Sequence, residues 1–498
     1  MNIKPGTGAS IKKTRSFRFK LKKSRSEILA LGNYWGVLPL PKISWQSCLV
    51  LALILIFAGV LRGWRLGYPE SQYFDECYYA PGALSYINGT VDENSVHPPL
   101  GKLQIADFIL LGRWLNNHGC HFSEYTLWRL ASFIFGEGTV LLTFLLGWRL
   151  SRGSASLANL AAFLVSIDFM SIVLARICML DMVLAFWMLV GVYCSWMYIE
   201  AKIVQSPRAW SWAALCSLAF GIATACKWNG LFGAFIAFWL MLLLPNLMNK
   251  ASLQAEAAAK TPPDNSSEHS QVVLAPSLKG TGKKLLKQGL VLALLFAISI
   301  ASVYCLSYLP QFMREGFSSQ TVGHITEAHT VMVKFRYNAK QFTHHYCSQF
   351  WAWPTVIRPV WLKFDTGVGL ALGIVCFGSI FFWWPGFTFV LEFIYFGLKD
   401  RRWIWLFLGL SWCIPWLFWA ISTTGGFIYY MLPGIPLMAI VMAWVIMDWH
   451  KEGWNIAIGV YLAILGAALA CYYPFLAYLP MPRSLFTTLF PVIFTQWR

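Results

Sequence analysis

Runs of about 20 apolar residues recur along nearly the whole of this 498-residue chain, and no other feature restricts its fold as strongly. A segment that long can cross the hydrocarbon of a bilayer, where every backbone N–H and C=O must be bonded within the segment, so the runs predict α-helices. Hydrophobic residues make up 57% of the chain and charged residues 12%, about half the charged share of an ordinary soluble domain. The length therefore reflects many spanning helices and not several soluble domains.

Spans are expected at 43–61, 126–148, 155–174, 179–199, 210–226, 228–247, 288–309, 379–398, 403–421, 427–448 and 454–475. The fold class is thus an all-α polytopic membrane protein of about 11 transmembrane helices. Two stretches are too polar to span and form large loops, 62–125 and 310–362. Four regions follow: a basic tail (1–42), a first transmembrane module (43–247), a flexible linker (248–286) containing KTPPDNSSEHS, and a second module (287–498). Within the first loop, apolar residues at helical spacing around 100–115 suggest a helix lying in the membrane interface. The apolar stretch 367–397 is long enough to leave one more crossing or a re-entrant piece open. No internal repeat is evident.

The net charge of +17 is placed as a membrane protein places it. Lys4, Lys12, Lys13, Arg15, Arg18, Lys20, Lys22, Lys23 and Arg25 crowd the tail before the first span. That bias puts the N-terminus in the cytoplasm and attracts anionic lipid. Arg149, Arg152, Lys202, Arg208, the linker lysines, Lys399, Arg401, Arg402 and Lys451 then also fall inside, and both large loops fall outside. No nucleic-acid-reading motif accompanies the charge, so nucleic acid is not an expected partner. The basic tail lacks a cleavage-site pattern, so the first span reads as retained. The cysteines show no metal spacing, although Cys77, Cys120 and Cys347 leave one disulfide open.

Candidate chemistry lies in the loops and at the span ends facing them. Asp75 and Glu76 follow Tyr73 and Phe74 just after the first span. A carboxylate desolvated there gains proton affinity and can take a hydroxyl proton, although a solvated acidic pair at a helix start would look the same. His97-Pro98-Pro99-Leu100-Gly101-Lys102 comes next, offering His97 and Lys102 as substrate-loop residues. Arg129, Arg176 and Lys227 sit at the outer ends of spans, where a buried cation needs a reason. Either they neutralise a phosphate together, or they snorkel and pair, as Arg176 with Asp181. No glycine-rich phosphate loop is present, so a lipid-borne phosphate fits better than a soluble nucleotide. The second loop adds His344, His345, Trp353 and Arg358. Adjacent histidines are poorly spaced for a metal, and tryptophans there form either an interfacial belt or a wall for a sugar.

Taken in order, these residues resemble the protein O-mannosyltransferases, membrane enzymes of the GT-C glycosyltransferase superfamily. Phe74-Asp75-Glu76 matches the family's first-loop acids, and His97 to Lys102 its His-Pro-Pro-Leu-Gly-Lys run. Arg129, the Arg176…Leu180-Asp181 segment and Lys227-Trp228 with Gly230-Leu231-Phe232 fall where the family has comparable elements. His345-Tyr346…Trp353-Pro354…Arg358-Pro359-Val360-Trp361 is similar to the short loop of bacterial members, and Pro415-Trp416 and Tyr430…Leu432-Pro433…Pro436 to their late spans. The 310–362 loop has no room for the β-trefoil domains of fungal and animal relatives. The chain departs from bacterial members in having Gly378-Ser379-Ile380 before Trp383-Trp384, and Thr423-Thr424-Gly425-Gly426 where many carry an arginine.

The resemblance implies a GT-C fold in a bacterial-type plasma membrane. The implied reaction is an inverting transfer of mannose from polyprenyl- or dolichyl-phosphate mannose to Ser/Thr hydroxyls of translocated proteins. Membrane lipid and the protein translocation machinery are the implied surroundings. Asp75 is the expected base, and Glu76 positions acceptor or loop. Arg129 and Lys227 are expected on the donor phosphate, with Arg176 and Arg358 as further phosphate candidates. His97, Lys102, His345 and Trp353 are expected around the substrates. Phosphate departs as a stable anion, so no metal or other cofactor is obligatory, though a divalent cation stays compatible with the chemistry. Two rival readings share the acidic loop: transfer of a sugar from polyprenyl phosphate to a lipid, as aminoarabinose transferases do, and transport of an anionic lipid.

Overall fold

The structure is a computed structural model that describes residues 40–260, 281–337, 344–367, 369–422 and 425–489. In chain order, α1 (Trp45–Gly63) leads into two helices of the first loop, α2 (Glu76–Asn88) and α3 (Leu100–Asn117). Then come α4 (Glu124–Leu150), the short pair α5 (Ala155–Ser166) and α6 (Phe169–Leu174), α7 (Leu180–Ile203), α8 (Ala209–Cys226), α9 (Gly230–Lys260) and α10 (Thr281–Leu306). The second loop holds α11 (Leu309–Glu315), α12 (Ser319–Tyr337), β1 (Val360–Thr366) and β2 (Leu370–Cys376). The chain continues through α13 (Ile380–Lys399), α14 (Trp403–Leu417), α15 (Ile435–Lys451), α16 (Asn455–Leu476), β3 (Met481–Pro482) and α17 (Arg483–Leu489).

Among the described residues ten helices are long and apolar enough to cross a membrane, and the protein is a multi-pass membrane protein. Their surfaces stay apolar because lipid, not water, covers them: Ile56 and Ile456 are exposed despite belonging to spans. Serines start several of these helices. The hydroxyls of Ser44, Ser123 and Ser154 accept the N–H groups of Ser47, Thr126 and Leu157, which the first turn would otherwise leave unbonded.

The span expected at 155–174 is divided. α5 stops at Ser166, and Asp168 caps α6 by accepting the Ser171 N–H at 2.8 Å. Its second oxygen accepts Trp383 Nε1–H from α13 at 2.8 Å. A carboxylate buried in hydrocarbon without such partners would cost roughly several kcal/mol, so the chain breaks where the acid can be bonded. Among the described residues ten spans therefore stand where eleven were expected, and the divided pair, 12 and 6 residues long, occupies the place of the eleventh.

The open question at 367–397 resolves as a strand followed by a helix. β2 pairs antiparallel with β1, from Val360 opposite Cys376 to Thr366 opposite Ala371, and β3 adds two residues beyond it. Val360 and Leu362 are buried on either side of a half-buried Trp361, the two-residue alternation of a strand, which a register shift between Trp361 and Lys363 interrupts. The linker expected at 248–286 is helical at both ends, because α9 runs to Lys260 and α10 begins at Thr281. The residues 261–280, the basic tail through residue 39, and Thr423-Thr424 lie outside the described residues. Cys77, Cys120 and Cys347 are free thiols.

Candidate active site

Asp75 sits at the residue before α2 but does not cap that helix. The preceding Phe74 has φ +50°, a left-handed conformation that an aromatic side chain adopts only at a cost of about 1 kcal/mol or more. Edge-to-face contacts hold it there, with ring centres 6.0 Å from His344, 6.3 Å from Phe427 and 6.2 Å from Tyr429. The strained turn leaves the Asp75 carboxyl half-buried, facing the pair Lys227–Asp181. Burial raises its proton affinity, the Lys227 charge opposes that rise and the Asp181 charge adds to it, so its pKa moves from 3.8 to about 6.

Glu76, its neighbour in sequence, faces the other way. It is fully buried and receives Arg129 through Nε at 2.8 Å and Nη2 at 3.0 Å, together with the Cys178 N–H at 2.9 Å. The remaining Arg129 donors reach the carbonyls of Leu66, Pro69 and Ser71, and its guanidinium lies 4.9 Å from the Tyr73 ring centre. Arg129 is therefore saturated, and its work is to fasten the first loop onto α4. Arg176 is saturated too. Its Nη1 donates to the carbonyls of Leu61, Arg62 and Trp64 at 3.2, 2.7 and 2.9 Å, and its Nη2 to that of Arg65. These are carbonyls that the end of α1 leaves without helical partners. The expectation that Arg129 and Arg176 contact phosphate gives way here to structural roles, and Arg176 does not pair with Asp181.

Lys227 makes that pairing. Its Nζ lies 2.9 and 2.8 Å from the two oxygens of Asp181, in the first turn of α7, and 5.6 Å from the Tyr430 ring centre. Lys227 occupies the tight turn between α8 and α9. A Cβ on Gly230 would come 2.5 Å from the Thr224 nitrogen, so the turn closes only with glycine there. A narrow cleft is lined by Asp181 and Asn229 together with Phe232, Trp412, Trp416 and Tyr430. Trp419 and Tyr430 stack at 4.3 Å along its wall. Carboxylate, ammonium and an aromatic trough thus meet at one point, an arrangement suited to a sugar held beside an anionic head with an apolar tail.

The other expected residues divide by position. Lys102 is buried, paired with Asp92 and donating to the Asn94 carbonyl at 2.6 Å, while the Tyr86 hydroxyl donates to Asp92. Trp353 is buried behind the cleft wall, its Nε1 donating to Ser348 Oγ at 3.1 Å and its ring 5.6 Å from Trp419. Both were expected among the residues around the substrates, and both side chains are buried here. His97 lies half-buried with its ring 6.1 Å from Tyr79. His345 is exposed. Its neighbour His344 packs on Phe74 and Phe427, with its proton affinity lowered by burial and by the adjacent His345. Arg358 is exposed and makes no hydrogen bond or ion pair among the described residues. Asp181 was read from sequence as a partner for Arg176, and Asp92 and the wall formed by Trp412, Trp419 and Tyr429 were not singled out; the crowding of aromatics between 412 and 430 was the available signal. Among the described residues no group of three or more His, Cys, Asp or Glu gathers to hold a metal ion.

Residues 52–258 match the family described as dolichyl-phosphate-mannose-protein mannosyltransferase. The chain is 30% identical over 198 residues to dolichyl-phosphate-mannose–protein mannosyltransferase 1 of Saccharomyces cerevisiae, an alignment covering 38% of this chain and 24% of the yeast protein. The chain thus spans about a quarter of the fungal relatives it matches. It is 25% identical over 508 aligned residues to the polyprenol-phosphate-mannose–protein mannosyltransferase of Mycobacterium tuberculosis, covering 88% of this chain and 90% of that one. Its fold superposes on the S. cerevisiae protein O-mannosyltransferase Pmt1-Pmt2 complex bound to the sugar donor, with TM-score 0.68, 13% identity and coverage of 92% and 93%. ArnT from Cupriavidus metallidurans bound to undecaprenyl phosphate gives TM-score 0.50, 17% identity and coverage of 85% and 64%. Over residues 52–258 the chain is thus similar to the dolichyl-phosphate-mannose-protein mannosyltransferase family, it aligns at 25% identity along nearly its whole length with a bacterial relative, and it shares the fold of the yeast complex.

Proposed function

We propose that this protein is an inverting glycosyltransferase that moves mannose from a polyprenyl- or dolichyl-phosphate donor to serine or threonine hydroxyls. The observation that carries the reading is the half-buried Asp75 carboxyl, with a pKa of about 6, coupled electrostatically to the pair Lys227–Asp181, of which Asp181 lines an aromatic cleft. Asp75 takes the acceptor hydroxyl proton as the oxygen attacks the anomeric carbon. The bond from that carbon to the phosphate oxygen breaks on the opposite face, and polyprenyl phosphate leaves. Lys227 exchanges one Asp181 oxygen for a phosphate oxygen and offsets the charge that gathers there. Arg358 is the second cation available to the phosphate. Glu76 and Arg129 hold the loop that presents Asp75, and His97, His344 and His345 border the acceptor side.

In this reading the face bearing both loops is extracytoplasmic, the basic tail is cytoplasmic, and the membrane is the plasma membrane of a bacterial-type cell. The modules 43–247 and 287–498 each supply one side of the site, Asp75 and Lys227 from the first and the aromatic wall from the second. Acceptors arrive as extended segments emerging from the translocation machinery. The names of the relatives support the donor and the protein acceptor. The test supplies mannosyl polyprenyl phosphate and a Ser/Thr-rich peptide to the purified protein and reads both products by mass spectrometry. Hexose on the peptide supports the proposal. Hexose only in extractable lipid would assign the rival lipid-acceptor reaction, and an intact donor would end the enzyme reading.

A further inference from the structure

The second loop reaches the turn carrying Lys227 through a chain of hydrogen bonds with one direction. Trp228 Nε1–H donates to the Tyr304 hydroxyl oxygen at 3.0 Å. Tyr304 Oη lies 3.0 Å from His329 Nε2. The other ring nitrogen, Nδ1, is 2.7 Å from the Ile325 carbonyl one turn back in α12. A carbonyl only accepts, so Nδ1 carries a proton. In the neutral ring Nε2 is then an acceptor, and the Tyr304 O–H donates to it. The Tyr304 hydroxyl and the His329 ring each accept one hydrogen bond and donate one, between an indole that only donates and a carbonyl that only accepts.

The imidazole is packed between two phenol rings, Tyr304 on α10 and Tyr308 just before α11, with ring centres 5.7 and 5.5 Å away. Removing either the Tyr304 oxygen or the His329 Nε2 acceptor breaks the series at its middle and leaves the indole N–H or the phenol O–H without its partner.

Trp228 directly follows Lys227, in a turn closed by Gly230 N–H to the Lys227 carbonyl and Leu231 N–H to the Trp228 carbonyl, both at 3.0 Å. Fixing the indole fixes the turn. We propose that His329 and Tyr304 are positioning residues for the lipid-phosphate donor, holding through Trp228 the turn from which Lys227 reaches the phosphate. This rests on the phosphate role given to Lys227 above.

The experiment measures binding of polyprenyl phosphate to the purified full-length protein, with donor KM and acceptor KM alongside, all at one pH. Tyr304→Phe removes the oxygen that accepts the Trp228 N–H and raises the Kd and the donor KM about 5-fold, the worth of one hydrogen bond, while acceptor KM stays unchanged. His329→Gln places an amide oxygen near the position of Nε2 and keeps both constants at the wild-type level, whereas His329→Leu removes that acceptor and raises both about 5-fold. A Tyr304→Phe protein whose Kd equals the wild type's overturns the proposal, as does a rise in acceptor KM equal to the rise in donor KM. If no mannose is transferred at all, the proposed reaction fails, while the Kd series still decides the relay.

Discussion

Replacing Asp75 by asparagine removes a charge that the folded protein holds at a cost, so the variant gains stability as it loses activity. Burial and the Asp181 charge raise the carboxyl from 3.8 to about 6 against the opposing pull of Lys227. The folded state thus binds this proton more tightly than the unfolded chain, and ionising the group disfavours folding. The penalty is absent below about pH 4, where both states are protonated, grows between about pH 4 and pH 6, and is constant above. A change of that size corresponds to at most about 3 kcal/mol at neutral pH, and solvent reaching a half-buried group reduces it to about 1 kcal/mol. Asparagine carries no charge and escapes the penalty. Thermal unfolding in detergent at neutral pH should place Asp75→Asn a few degrees above wild type, with the difference vanishing near pH 4, while mannose transfer falls by orders of magnitude. A variant less stable than wild type at pH 7, or a difference that ignores pH, would refute the environment derived for this carboxyl. Undiminished transfer would remove Asp75 from the base role.

Glu76→Gln has the opposite signature: it leaves a buried Arg129 without its carboxylate and should destabilise the fold by about 3–5 kcal/mol, read as a lower unfolding temperature and poor yield. Lys227→Met strands Asp181 and should cost a similar amount, about 3–5 kcal/mol; adding Asp181→Asn should restore most of the stability while donor KM stays raised, and a recovered donor KM would argue against a phosphate contact. The rate of transfer should fall about tenfold per unit as pH drops below about 6, because a protonated Asp75 cannot accept the hydroxyl proton; a profile flat down to pH 5 would count against it.

The spans were legible because hydrocarbon forces one solution on each apolar run. The break at Asp168 was not, since a single acid within an apolar run is bonded by Trp383, a residue 215 positions away. The strand β2 was hidden for a related reason: a short apolar run has the same composition whether it pairs with a neighbour or coils. The acidic motif was visible, but the division of labour within it was not. Asp75 and Glu76 are adjacent, and only the turn at Phe74 sends one toward Lys227 and the other toward Arg129. The partners Glu76–Arg129 and Asp181–Lys227 lie 53 and 46 residues apart, so no local spacing announces them.

The first span is clasped more firmly at one end than at the other, where among the described residues the Asn159 amide reaches the Ser47 carbonyl at 3.4 Å. Arg176 and the Tyr473 hydroxyl, which donates to the Leu61 carbonyl at 2.9 Å, clasp the terminus nearest the first loop. The buried residues of that helix, Ile54, Ala58, Leu61 and Arg62, all belong to its second half. A bilayer that thickens or thins therefore meets a helix able to lean at its far, lipid-bathed end, where Trp45 and Leu49 stand exposed. Changes in membrane composition are absorbed there, and the height of the loop above the lipid heads is insulated from them.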